Sequence, residues 1–191
     1  MGPPSRDTEL VRRYLDSGDL RYFDELVVRY RDRVMRLVLS VLGPEWANDA
    51  EDVVQEAFLR AHDRLAGFRG ESRFGTWLYR VAYNRALDHR RAAGRRARRA
   101  RESVEDPASA QGVESSAGQR LLSEERGRSV RTALERVPQP YRAALHSYYW
   151  LELPVAEIAE LLGVAPGTVK SYLHRGRARL ARLLSEGGPA R

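Results

Sequence analysis

Apolar residues recur at spacings of three and four along almost the whole chain, and no stretch alternates convincingly between apolar and polar. The pattern therefore predicts helices throughout and an all-α fold. Thr8 to Leu15 reads as a short helix and Leu20 to Leu42 as a long one, with Phe23, Leu26, Val27, Tyr30, Val34, Leu37 and Val38 as its buried stripe. Gly43-Pro44 stops it. The next helix begins at Asn48-Asp49 and turns Val54, Ala57, Phe58, Ala61 and Leu65 inward. A glycine-punctuated loop, FRGESRFGTW, leads into a helix dense in aromatic residues, in which Phe74, Leu78, Val81 and Ala82 share the core side.

The pattern then lapses. Seven arginines and no acid fill Arg90 to Arg101, after which Ser, Ala, Gly and Glu dominate through Gln119. Such a stretch cannot bury enough apolar surface to order itself and reads as a linker over 94–118. A coil of that length spans about 28 Å and at full stretch about 85 Å. It permits many separations of the flanking domains, 1–93 and 119–191, and sets none. The second domain opens with LLSEERGRSVRTALERVP, whose apolar positions are Leu121, Leu122, Val130, Ala133, Leu134 and Val137. After Pro138 and Pro140 a further helix, YRAALHSYYWLEL, places His146 and Tyr148 in what reads as core.

Val155 to Leu184 has the clearest grammar. Val155, Ile158, Ala159, Leu161 and Leu162 give a short helix its apolar face, and Gly163 ends it by tolerating the left-handed conformation. Pro166 suits the first position of the following helix. There Val169, Leu173, Gly176, Leu180 and Leu184 share one stripe, while Ser171, His174 and Ala178 lie across from it, flanked by Lys170, Arg175 and Arg182. Short polar and basic side chains near the start of such a helix match the acceptors of a major groove. A solvated basic face is the usual fate of helix charge, but turn chemistry, the small Gly176 and basic bias agree on a helix-turn-helix with a reading second helix.

Charge adds a partner to this picture. With 33 basic and 26 acidic residues in 191, the net charge is +7 and the sequence pI about 10.1, favouring an anionic ligand. Arginine supplies nearly all of it, and Lys170 is the sole lysine. No cysteine occurs, excluding disulfides, thiol catalysis and cysteine-ligated zinc. His62, His89, His146 and His174 lack metal-ligand spacing, so no metal or cofactor is expected. With no signal peptide and no membrane-length apolar run, the chain reads as cytoplasmic.

Two surfaces in the first domain break the expected pattern. Asp52, Gln55, Glu56, Leu59 and Asp63 fall within about 100° of one another on the helix after Asp49. First-turn acids commonly just complement the helix dipole, which accounts for Asp49 and Asp52. It does not account for Glu56, Asp63 or a leucine in mid-face, and an acidic surface with an apolar centre suits a basic protein partner. On the aromatic helix, Thr76, Arg80, Tyr83, Asn84 and Leu87 share the side opposite the core. Rings interleaved with Arg and Asn suit single-stranded DNA, whose unpaired bases stack on them. Phe68 and Tyr83 fit that role, while Trp77 fits either the core or the nucleic-acid face.

In this order, DAEDVVQEAFLRA, FRGESRFGTWLYRVAYNRALDHRR, LERVPQPYRAAL and EIAELLGVAPGTVKSYLHRGRARL resemble a bacterial sigma factor of the extracytoplasmic-function group (group 4), the minimal two-domain branch of the housekeeping sigma factor family. The resemblance covers nearly the whole chain. It implies a non-enzymatic transcription factor that joins core RNA polymerase and promoter DNA without inserting in a membrane. The acidic helix (Asp49, Asp52, Gln55, Glu56, Leu59) would dock on the clamp helices of the largest polymerase subunit, and the second domain on the flap of the second largest. Phe68, Trp77, Arg80, Tyr83 and Asn84 would open and read the minus-ten element, with Phe68 and Asn84 lining a pocket for one flipped base. Thr168, Lys170, Ser171, His174 and Arg175 would face the minus-thirty-five element, and the linker would thread through the polymerase. An anti-sigma factor is a further expected partner. Two departures stand out: Ala165 replaces a frequent capping Ser, and Tyr172 a frequent Arg.

Two other classes compete with this reading. A helix-turn-helix regulator that never joins polymerase explains Val155 to Leu184 but leaves the acidic and aromatic faces idle. A tyrosine recombinase needs Arg, His and Tyr converging on one phosphate, which His146 and Tyr148 on a core-reading helix do not offer.

Overall fold

The computed structural model describes residues 6–102 and 123–186. Within them the secondary structure is helical and includes no strand: α1 (Arg6–Ser17), α2 (Leu20–Leu42), a 3-10 turn (Pro44–Asp49), α3 (Ala50–Arg64), a second 3-10 turn (Leu65–Gly67), α4 (Phe74–Glu102), α5 (Ser123–Glu135), α6 (Gln139–Tyr149), α7 (Val155–Leu162) and α8 (Pro166–Glu186).

In the first domain α2 is the spine, packed by α1, α3 and α4. The Asp19 carboxylate caps it by accepting from the Arg21 backbone N–H at 3.0 Å. At its far end Gly43 takes φ 95°, and Pro44 opens the 3-10 turn. Leu26, Val34, Leu37 and Val38 from α2 are fully enclosed with Val53, Ala57 and Ala61 of α3 and Leu78, Ala82 and Ala86 of α4. Tyr30 ties three helices together. Its ring meets Phe74 and Tyr79 edge-on at 5.5 and 5.8 Å, and its hydroxyl donates to Asp7 of α1 at 2.6 Å. Gly75 lets α4 pass this close, since a Cβ there would lie 2.9 Å from Tyr30 Cε1.

In the second domain α6 and α8 form the main contact. A Cβ at Gly176 would come within 3.0 Å of Leu145 Cδ1, so the glycine sets how closely α8 settles on α6. Gly163 adopts φ 68°, ψ 37°, and the Val164 N–H reaches back to the Ala159 carbonyl at 3.1 Å, closing α7 before the turn into α8.

The two domains also pack on one another, α2 against α6 and the start of α4 against α7. Arg142 is buried in this contact: its Nε donates to the Ser40 carbonyl at 2.6 Å and its Nη1 to the Glu135 carbonyl at 2.7 Å. Arg73 lies 3.8 Å from Glu157, which also accepts from the Thr76 hydroxyl.

Residue 94, where the linker was expected to begin, lies inside α4, which continues without a break to Glu102. The rest of that stretch, with Leu121 and Leu122, falls outside the described residues. His146 is largely enclosed, as expected. Tyr148 is not core: it is 38% exposed on the last turn of α6, where Arg177 of α8 stands over its ring at 5.5 Å.

Candidate nucleic-acid and partner interfaces

The acidic face divides along its length. Asp49 and Glu56 occupy the edge toward α4, where Asp49 meets His89 Nε2 at 2.7 Å and Glu56 accepts from Arg85. The Arg85 bond holds the Glu56 carboxyl below its usual value. Asp52, Gln55 and Leu59 instead face outward, and Leu59 is 58% exposed. Gln55 and Leu59 border a groove between α2 and α3 of about 540 Å³, walled by Leu20, Val27, Phe58 and His62, with Arg31 and Glu51 at its edge. This groove was missed in the sequence, although Leu20 extends the apolar stripe of α2 to its exposed first turn and signals it.

Phe68 follows the Leu65–Gly67 turn, its N–H bonded to the Leu65 carbonyl at 3.0 Å. Its ring lies 5.3 Å from Trp77 and 5.9 Å from Phe74, so the three rings form one half-open cluster. Arg80 and Asn84 are exposed one and two turns further along α4. Tyr83 and Thr76 depart from the expected exposed face, being buried at 6% and 3%. The cause is the second domain: Gln139 Nε2 stands 3.4 Å from the Tyr83 hydroxyl, and Glu157 covers Thr76. Loss of solvent there raises the Tyr83 phenol pKa.

On α8, Lys170, Ser171, His174 and Arg175 are exposed together and Thr168 is half-buried. Ser171 donates its hydroxyl to the Gly167 carbonyl at 3.1 Å, leaving its oxygen lone pairs outward. Tyr172 turns from this face and packs on Tyr141 with ring centroids 5.4 Å apart, which gives the residue a structural use in place of a phosphate contact. Among the described residues no group of acidic or histidine side chains is placed to hold a metal, and no helix is long and apolar enough to cross a membrane.

An acidic outer edge of α3 beside an apolar groove, a half-open aromatic cluster with Arg80 and Asn84 further along the same helix, and a basic reading helix thus occupy separate surfaces of one helical chain. Residues 26–96 match the family Sigma-70 region 2, and residues 127–180 match Sigma-70, region 4. The chain is 34% identical to the RNA polymerase sigma-H factor of Pseudomonas aeruginosa, over 94% of each chain. It is 37% identical to the ECF RNA polymerase sigma-E factor of Escherichia coli (strain K12), over 90% of each. Among solved structures, CnrH in complex with the cytosolic domain of CnrY is similar at 25% identity and a TM-score of 0.67, covering 95% of this chain and 99% of that one. The protein therefore belongs to the extracytoplasmic-function sigma factors, which bind core RNA polymerase and direct transcription initiation at promoters.

Proposed function

We propose that each of the three surfaces serves one step of initiation. Asp52, Gln55 and Leu59 dock on the clamp helices of the largest polymerase subunit, with Asp49 and Glu56 shaping the edge of that face through α4. The observation that carries this reading is Leu59, an exposed leucine at the centre of an acidic edge in a chain of net charge +7. An apolar centre ringed by acid excludes nucleic acid and accepts a basic, partly apolar helix. The second domain reaches the flap of the second-largest subunit, and the protein works in the cytoplasm by binding alone, without a cofactor. The chain from 103 to 122 joins the domains on the polymerase.

On DNA, α8 reads the upstream element through Lys170, Ser171, His174 and Arg175, with Thr168 at the helix start. Arg175→Ala is expected to cost about 1–3 kcal/mol and to erase preference at one base pair, as loss of a bidentate guanine contact does. Competition binding of holoenzyme across single-base promoter variants reads it. A uniform loss over all variants would make Arg175 a phosphate contact and leave specificity to Ser171 and His174.

Phe68, Trp77, Arg80, Tyr83 and Asn84 act on the unpaired strand of the downstream element. A ring gains about 1–3 kcal/mol per stacked base once the base has left the duplex, and flipping that base first costs a few kcal/mol. Phe68 and Trp77 already form a half-open tilted pair, and Asn84, two turns further along α4, offers a donor and an acceptor to an exposed base edge. Run-off transcription with core polymerase tests the assignment. Phe68→Ala and Asn84→Ala should weaken initiation from duplex DNA and lose preference at one downstream position. A pre-melted bubble should restore the activity but not the preference. Unchanged transcription from both variants would return these side chains to the fold alone.

A protein inhibitor fits the same surfaces. The similar CnrH structure was solved with a second protein, the cytosolic domain of CnrY, and a partner holding α6 and α7 against α2 and α4 would keep Tyr83 covered.

A further inference from the structure

The side of α6 that meets the first domain holds a histidine with an unpartnered ring nitrogen. Gln139, Arg142 and His146 follow one another at spacings of three and four, and so share one face of the helix. Gln139 reaches Tyr83 and Arg142 reaches the Ser40 carbonyl, which makes that face the domain contact. His146 Nε2 is buried there without a hydrogen bond. The ring lies parallel to that of Trp150, with centroids 5.5 Å apart.

Its surroundings oppose a proton. Burial, together with the positive charge of Arg36 across the contact on α2, lowers the His146 pKa from 6.5 to about 4. The other charged and titratable groups nearby are engaged elsewhere. Arg142 directs its guanidinium to the Ser40 and Glu135 carbonyls, and Tyr83 of α4 meets Gln139. Glu157 of α7 is held by Thr76 and Arg73, and Arg177 of α8 stands over Tyr148 and Tyr149. A protonated imidazole carries a donor on each nitrogen. At Nε2 that donor is a buried charge facing no acceptor, a costly arrangement. Water supplies the acceptor once α6 leaves α2.

We infer that His146 is a proton-operated latch between the two domains, whose protonation parts α6 from α2 and uncovers Tyr83 and Thr76. Above about pH 6.5 the ring is neutral whether the domains are closed or open, and acidity has no effect through it. Between pH 6.5 and about 4 only the open form takes the proton, so each unit of acidification multiplies the open-to-closed ratio by up to about ten. Below about pH 4 both forms are protonated and the ratio levels off. What the opening does for initiation rests on the downstream-element reading of α4; the opening itself does not.

The test reads the free, full-length chain, so it is independent of any role in transcription. The chain has no cysteine. Arg64→Cys on α3 and Ala181→Cys on α8, both at exposed positions, therefore take a donor and an acceptor dye whose energy transfer reports domain separation. From pH 7.5 to 5.5 the open-to-closed ratio should rise by up to about tenfold. His146→Leu should remove that rise, while any pH dependence carried by other groups, Glu157 included, remains in the Leu variant. His146→Arg places a permanent charge at the same point and should be open already at pH 7.5. Circular dichroism checks that the helices of each variant are intact, and if the Arg variant loses them the comparison of parent with His146→Leu decides alone. Identical pH profiles for the parent and His146→Leu would overturn the inference, as would a folded His146→Arg that stays closed at pH 7.5.

Discussion

Asp52→Arg combined with Leu59→Arg is expected to abolish stable assembly with core polymerase while the free protein keeps its fold. Both side chains are exposed on α3, and substitutions at such positions usually change stability by no more than about 0.5 kcal/mol. At a docking face the balance differs. A single hot-spot residue carries about 2 kcal/mol or more, equivalent to roughly 30-fold in affinity, and reversing charge beside it adds repulsion against a basic partner. The pair should therefore lower affinity by well over 30-fold, read by co-purification and by titration with labelled core enzyme, with thermal unfolding of the free variant as control. Normal assembly would remove the outer edge of α3 from the polymerase interface. Glu56→Arg is the poorer probe of the same face. Glu56 is the partner of Arg85, whose side chain is only 14% exposed, and a second guanidinium there would strand a poorly solvated charge. Any loss of binding would then mix docking with damage to the α3–α4 contact.

Joining the two domains covalently should silence the protein on duplex promoters. Tyr83 and Thr76 lie beneath α6 and α7, and a base cannot stack on a ring whose surroundings are already filled. The polar contacts described across this interface are Arg142 to the Ser40 carbonyl, Gln139 to Tyr83, Thr76 to Glu157 and the Arg73–Glu157 ion pair. Contacts of that kind between domains open more readily than a large apolar interface, so engagement of polymerase and promoter can part them. The chain has no cysteine, so Thr76→Cys with Glu157→Cys offers a unique pair for a short bismaleimide bridge. The unbridged double variant should transcribe close to the parent level, because only the Thr76–Glu157 and Arg73–Glu157 contacts between the domains are lost. The bridged form should bind core enzyme yet give little run-off product, the loss amounting to at least the 1–3 kcal/mol of one stacked base. Full activity of the bridged protein would show that Tyr83 serves the fold and not the open strand.

Much of this protein is legible along the chain because its signals are local. Gly163 and Pro166 bracket a turn whose geometry depends on neighbours a few residues away, and Gly176 sits in a 3.6-residue stripe that could belong only to a helix packed tightly on another. The same periodicity separates the inner and outer sides of α2 and α3 without reference to anything distant. The expected all-α fold and the helix-turn-helix follow from such rules.

Two features were decided by tertiary contact, and a third by the continuation of a helix already formed. Asp49 and Glu56 look equivalent to Asp52 on a helical projection, but α4 brings His89 and Arg85 against one edge of α3 and leaves the other edge outward. Tyr83 and Thr76 share a polar face with Arg80 and Asn84, yet Gln139 and Glu157 arrive from the far end of the sequence and cover only that side. The arginine run after Arg90 reads as unstructured because it offers nothing apolar to bury. It is helical because it extends a helix already formed, where each added residue gains a hydrogen bond without a new nucleus, and because alanine and arginine are good helix formers. Helical period determines which residues share a face; which exposed face is then covered depends on partners remote in the chain, and local pattern carries no record of them.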